Sequence, residues 1–314
     1  GLSAQQELVL TADIDSYSEF MDKKANTLVI KEGFYTIDHP VVIPAGYQVI
    51  FEPGTKLDFV KGALFISYSP IIMVGTQAQK ITITSSDFTA NGFTILQAEN
   101  TSELSHVIFE NLNTLDYKGW TLTGAVTFYE SDVDIKNTLF YRNQCEDALN
   151  TIRSDFSVNA TEFDNIYGDA FDSDFCKGTV SYCRFTNIAN DAIDFSGSQI
   201  VIEDTDIIEA KDKGISGGED SYLEVYNTHV LGSNIGFASK DLSMVKLYNS
   251  SAVDCNYGLV LLQTKPEYGP AKLNLVNTTI DNAKTLHLIE IGSQINLDGE
   301  VIKGENENLA EKFY

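Results

Sequence analysis

Short runs in which apolar and polar residues alternate recur along most of the chain: SVNATEF from Ser157, GTVSYCRF from Gly178, QIVIEDTDI from Gln199, YLEVYNTHV from Tyr222, MVKLYNSSA from Met244 and AKLNLVNTTI from Ala271. A period of two with β-branched enrichment predicts half-buried strands. Between these runs lies a second series that steps by 22 residues. It comprises Asp147-Ala-Leu-Asn150, Asp169-Ala-Phe-Asp172, Asp191-Ala-Ile-Asp194, Lys213-Gly-Ile-Ser216, Ile235-Gly-Phe-Ala238 and Tyr257-Gly-Leu-Val260. Its second position is always Ala or Gly, and its third is always Leu, Ile or Phe.

A unit of this length with at least two short strands cannot bury its own apolar face, and stacking successive units supplies the missing core. The repeat lacks the Leu/Asn pattern and helical half of a leucine-rich repeat, and it is about half the length of a propeller blade. An antiparallel sandwich would not hold chemical columns at a constant step. The predicted fold is therefore all-β: a single-stranded right-handed parallel β-helix (solenoid) spanning 31–290, clearest at 137–262. Residues 1–30 are expected to form an N-terminal cap and 291–314 a C-terminal cap or tail. Tyr17, Phe20 and Met21 at helical spacing, behind Asp15 or Ser16, predict a capping helix. The tail from Gly304 is expected to cover the other end of the core, and an insertion at 265–270 to protrude.

The passage VVIPAGYQVIFEPGTKLDFVKGALFISYSPIIMVGTQAQKITITS from Val41 breaks into strands at Gly46, Gly54, Gly62 and Gly75. It resembles the opening coils of secreted proteins of the pectate-lyase-like β-helix superfamily. The resemblance covers most of the chain as an architecture, without a contiguous family signature.

Charge narrows the choice of partner. With 21 basic and 45 acidic residues the formal net charge is −24, which argues against nucleic acid and anionic membranes as partners. No apolar run reaches the roughly 20 residues that cross a bilayer, so no membrane insertion is expected. The opening Gly-Leu-Ser reads as a processed end, and an extracellular or cell-surface, monomeric protein is expected. Cys145, Cys176, Cys183 and Cys255 lack metal-type spacing and read as small buried residues, with a Cys176–Cys183 bridge as the main exception. His39, His106, His229 and His287 are scattered and read as structural or surface residues.

The candidate chemistry follows from the register. With Leu149, Phe171 and Ile193 pointing inwards, Asn150, Asp172 and Asp194 stack outwards, with Asp174 two positions further along its strand. Asp147, Asp169 and Asp191 form a second column where the chain enters the sheet. Like charges in register destabilise a sheet, and a hard cation such as Ca²⁺, which takes six to eight oxygen ligands, would offset that repulsion. Alternatively the Asp columns are turn-formers bonded to their own backbone. Asp147, Asp169, Asp172, Asp191 and Asp194 are the candidate metal ligands. Lys213, which interrupts the Asp column one coil on, and Arg153 are the candidate catalytic bases, although an ion pair to Asp191 or Asp212 also accounts for Lys213. Asn150, Asp174, Ser216 and Glu219 are candidate substrate-binding residues. The superfamily resemblance implies Ca²⁺-dependent β-elimination of a uronate-containing polysaccharide, with the cation acidifying the C5 proton and a basic side chain removing it. Hydrolysis by two carboxylates stays open. The alternative is a noncatalytic carbohydrate-binding or surface module of a larger secreted protein, with Tyr117, Trp120 or Tyr268 stacking on sugar rings.

Overall fold

The structure, a computed structural model, describes residues 12–314. Positions 1–11 of the expected cap lie outside them. Three sheets of 14, 11 and 11 strands run along one axis, and almost all their pairings are parallel between coils. Each regular coil contributes one strand to each sheet. In one coil these are Asp147–Ile152, Asp155–Asn159 and Glu162–Ile166, after which Asp169–Asp174 begins the next. We call the sheet holding Asp147–Ile152 the ladder sheet, that holding Asp155–Asn159 the long sheet, and the remaining one the third sheet.

The register follows the repeat. Asp147 pairs with Asp169, Leu149 with Phe171 and Asn150 with Asp172, and the next coil pairs Phe171 with Ile193 and Asp172 with Asp194. Inside, identical side chains fall on one another. Phe140, Phe163 and Phe185 stack at centroid spacings of 4.6 Å with nearly parallel rings. That spacing is the strand separation itself, so the aromatic column adds stacking to burial at every step.

Two corners carry columns of buried hydroxyls. At the corner between ladder and long sheets, Ser131 N–H donates to Ser154 Oγ (2.9 Å), Cys176 N–H to Ser198 Oγ (3.0 Å) and Ser198 N–H to Ser221 Oγ (3.0 Å). At the corner between long and third sheets, Thr228 N–H donates to Ser250 Oγ (3.1 Å). Cys176 and Cys183 take one position in each of these two columns. They flank the strand Lys177–Ser181, and an extended strand of that length spans on the order of 15 Å or more. A disulfide needs Cα atoms within about 7 Å, so the two thiols stay free and buried.

Both ends depart from expectation. Among the described residues no N-terminal capping helix forms: a 3₁₀ turn, Ile14–Tyr17, precedes an antiparallel hairpin of Met21–Lys24 and Thr27–Ile30. Tyr17, Phe20 and Met21 are buried as expected, but the hairpin also pairs with the open strand edge of the first coil, which a helix could not do. At the other end the hairpin Gln294–Leu297 with Glu300–Lys303 ends the long sheet. The tail does not cover the core end. It turns back over the outer face of the ladder sheet, where Leu309 packs with Ile235, Ala238, Val260 and Leu262. Those outward positions are apolar and need a cover.

Candidate functional site

The outer face of the ladder sheet is acidic only in its middle coils. Towards the N-terminus the hairpin Leu115–Tyr117 with Trp120–Leu122 lies over it, packing Leu115, Tyr117 and Trp120 on Leu64, Ile66 and Leu96. Towards the C-terminus the tail covers it. Apolar residues call for cover at both ends, and between the two covers lies a stretch of polar coils, called the trough below, whose outward side chains are buried or half-buried. The insertion expected to protrude folds towards the trough's side: Asp241 accepts hydrogen bonds from Thr264 N–H (2.6 Å) and Lys265 N–H (2.8 Å), and Lys265 pairs with Glu219. Tyr268 Oη lies 3.4 Å from Glu219 Oε2.

Three carboxylates converge in the trough. Asp169, Asp191 and Asp194 each bring an oxygen within 4.8 Å of the others. Asp169 Oδ1 accepts from Asp191 N–H (2.9 Å) and Asn190 Nδ2 (2.6 Å), so the turn-forming role coexists with the convergence. Lys213 lies 3.4 Å from both Asp191 oxygens and also pairs with Asp212. Both ion pairs foreseen for Lys213 therefore form, with its side chain only 3% exposed. Asp147 sits one coil lower and accepts from Asn150 Nδ2 (2.9 Å). Arg153 is not drawn to the cluster. It stands on the turn leaving the sheet, 3.8 Å from Glu130 Oε1 and 3.3 Å from Tyr129 Oη, over the Phe175 ring.

Two site residues escaped the sequence reading. Lys240 Nζ lies 3.5 Å from Asp194 Oδ1 and 3.3 Å from Tyr314 Oη. The Tyr314 ring also faces both ammonium groups, at 5.2 Å from Lys213 and 5.8 Å from Lys240. Lys240 had a readable signal, because it follows Asp174, Ser196 and Gly218 at the same step. Tyr314 had none, since its place depends on how the tail folds back.

Burial and mutual repulsion raise the acids together. Burial, with the Asp169 charge, pushes Asp147 up to about 7. Asp169 is pushed up to about 6 by burial and by Asp194, against hydrogen bonds from Asp191 N–H and Asn190. Asp174 is also pushed up to about 6, by burial and by Glu219 and Asp194. Asp172 and Asp191 are also raised well above the ordinary carboxylate range, again by burial first. For Lys213 burial is the largest single influence and pulls downwards, but Asp191, Tyr314 and the hydrogen bond to Asp212 together outweigh it and the pKa is raised; Asp194, Tyr314 and Asp191 together do the same for Lys240.

These residues fit a hard cation. All the donors are oxygens, and two further groups in the same outward column, Asn150 Oδ1 and Ser216 Oγ, are buried without a hydrogen-bond partner. Buried oxygens of this kind carry a desolvation cost until something binds them.

The sequence profile described as "Right handed beta helix region" matches residues 148–302. No curated protein sequence matches the chain. Among solved structures, the periplasmic alginate epimerase AlgG superposes with a TM-score of 0.56 at 11% identity, covering 89% of this chain and 80% of that one. An alginate lyase from Paenibacillus sp. str. FPU-7 gives 0.46 at 11% identity, covering 80% and 93%. Pectate lyase Pel9A gives 0.43 at 13% identity, covering 83% and 79%. At these identities the AlgG likeness establishes shared architecture, consistent with the coil register and the profile match. The coil register, the profile match and the AlgG architecture agree: the chain is a right-handed parallel β-helix repeat protein.

Proposed function

We propose that the protein is a secreted enzyme that cleaves a uronate-containing polysaccharide by β-elimination, with Ca²⁺ as cofactor. The observation that carries this reading is the convergence of Asp169, Asp191 and Asp194 beside two buried ammonium groups. The named polysaccharide-active proteins of the same architecture, AlgG among them, support the substrate class. Asp169, Asp191 and Asp194 would hold the cation, with Asp172, Asp147 and Asn150 beside them. When bound, it would draw charge from the uronate carboxylate and acidify the adjacent carbon-bound proton.

Lys213 serves as the base in this scheme. It keeps its proton on Nζ while Asp191 faces it unshared. Positive charge that claims Asp191 would weaken that support, leaving burial, which favours the neutral amine, opposed chiefly by Asp212 and Tyr314. Lys240 stays paired with Asp194 and orients the substrate carboxylate. Asp174 and Glu219 line the remaining trough as substrate contacts, whereas Ser216 is fully buried and stands behind them. Arg153, held by Glu130 and Tyr129, contributes at the rim.

The test is to incubate the protein with alginate and with polygalacturonate, with Ca²⁺ or with chelator, and to follow absorbance of the unsaturated uronate product. Ca²⁺-dependent growth of that band supports the reading. Polymer binding with no product on either substrate refutes it and favours a noncatalytic binding module.

A further inference from the structure

A second concavity lies around the corner from the acidic trough, on the turns that connect the third sheet to the ladder sheet. It is a groove of about 890 Å³ that runs along the axis past successive coils. Phe88, Arg142, Tyr167, Ala189, Glu209 and Lys211 line it.

Three features set this groove apart from ordinary turn surface. The first is a break in a column. The residue that turns each corner here has positive φ, and Asn111, Asn165, Asn187, Gly232, Asp254 and Asn282 occupy it with the residue types that tolerate that conformation. Arg142, at φ 51°, and Glu209, at φ 61°, stand in the same column without that tolerance. The second is charge. In a chain of net charge −24, Arg142 and Lys211 are exposed and, among the described residues, form no ion pair with any carboxylate. The third is exposed aromatic surface. Tyr167 is 63% exposed and Phe88 46%. Phe88 is also held at positive φ, at the tip of a turn braced by Ser85 and Asp87, which accept hydrogen bonds from the Thr89 and Ala90 amides.

Tyr167 and Lys211 stand two coils apart along the groove with only the small Ala189 between them in that column. Flat sugar faces stack on aromatic rings, and carboxylates pair with Arg and Lys. We propose that this groove is a second binding site for an acidic polysaccharide chain. Tyr167 and Phe88 take sugar faces, and Arg142 and Lys211 take carboxylates. The groove holds the polymer beside the trough while the trough acts on it. Glu209 is the one acid lining it and confines the chain's carboxylates to the two cationic positions. The choice of ligand rests on the substrate class proposed above, but the site makes none of the same contacts.

Affinity electrophoresis through gels containing alginate, with dextran gels as neutral control, tests this on the full chain. The variants are Tyr167→Ala, Arg142→Ala with Lys211→Ala, and Asp194→Asn in the trough. All three groove residues are exposed, and unchanged melting temperatures establish folding. The expected result is that alginate retards the wild type and the groove variants lose roughly tenfold in apparent affinity, a difference of about 1.4 kcal/mol. Asp194→Asn should stay retarded although it loses turnover. Equal retardation of wild type and groove variants overturns the proposal, as does equal retardation by dextran or none by alginate. Retardation that depends on the groove in a protein with no lyase activity sinks the β-elimination reading alone.

Discussion

Lys240 Nζ reaches to 3.5 Å from Asp194 Oδ1 across two coils, over the bare backbone of Gly218. A Cβ built on Gly218 would stand 3.3 Å from Lys240 Cε and 3.5 Å from Ser196 Oγ. The position's φ is not in the left-handed region, so the glycine answers a need for space. Asp194 therefore has a cation only because the intervening coil has no side chain.

Replacing Gly218 with Leu should displace Lys240 and leave Asp194 without its partner. The expected outcome is loss of turnover, with Gly218→Ala intermediate because the Lys240 stem can give by a few tenths of an ångström. A pH–rate profile that does not move in Gly218→Leu would show that Lys240 takes no part.

Lys213 is buried against Asp191 and Asp212. Lys213→Met should cost about 3 to 5 kcal/mol in urea unfolding, because Asp191 is left as an uncompensated buried charge. Adding Asp191→Asn should recover much of that loss. Additive costs in the double variant would mean that the two side chains are not energetically coupled.

The acidic column makes stability fall as pH rises. Asp147, Asp169 and Asp174 have folded values of about 7, 6 and 6 against an ordinary value of 3.8. An acid whose pKa is raised on folding contributes stability that is complete below its unfolded value and is lost as pH passes through its folded value. In chelator, the melting temperature should therefore drop between about pH 4 and pH 7. Calorimetry that finds a flat or rising curve over that interval would contradict the shifts.

Ca²⁺ should flatten that slope. At 100 times its dissociation constant a native-state ligand adds about 2.7 kcal/mol, and the gain should be largest above pH 7, where the carboxylates carry no proton. Asp191→Asn and Asp194→Asn should abolish most of the rise in melting temperature. An equal rise in all three proteins would place calcium elsewhere.

The tail can be released without touching the acids. Leu309 is 5% exposed and seals Ile235, Ala238, Val260 and Leu262. Leu309→Ala should cost about 2 kcal/mol or more and increase binding of a hydrophobic dye as that patch opens. It should also free Tyr314 from Lys213 and Lys240, so substrate KM should change more than it does in Tyr314→Phe, which retains the ring over both ammonium groups.

Much of this molecule is legible along the chain. A constant step of 22 residues means that whatever stands at one position stands on its counterpart in the next coil. Asp147 on Asp169, Asn150 on Asp172 and on Asp194, and Lys213 continuing the Asp191 column could therefore be read before any coordinates. The Asn-Thr pairs at 227–228 and 277–278 also recur along the chain, and the structure places their asparagines at positive φ.

What the repeat could not reveal lies off its columns. The N-terminal residues Tyr17, Phe20 and Met21 suit a helix or a hairpin equally, and the unpaired edge of the first coil favoured the hairpin. Lys240 crosses from its own column to that of Asp194, a diagonal allowed by one absent side chain. Tyr314 arrives on a segment outside the repeat, drawn by apolar residues that needed cover. The sequence by itself determined the coil, its register and the acidic columns, because stacking turns repetition into contact. Tertiary structure alone decided which carboxylates converge, which lysines neutralise them and where the trough lies, because those depend on side chains reaching between columns and on segments folding back from the ends.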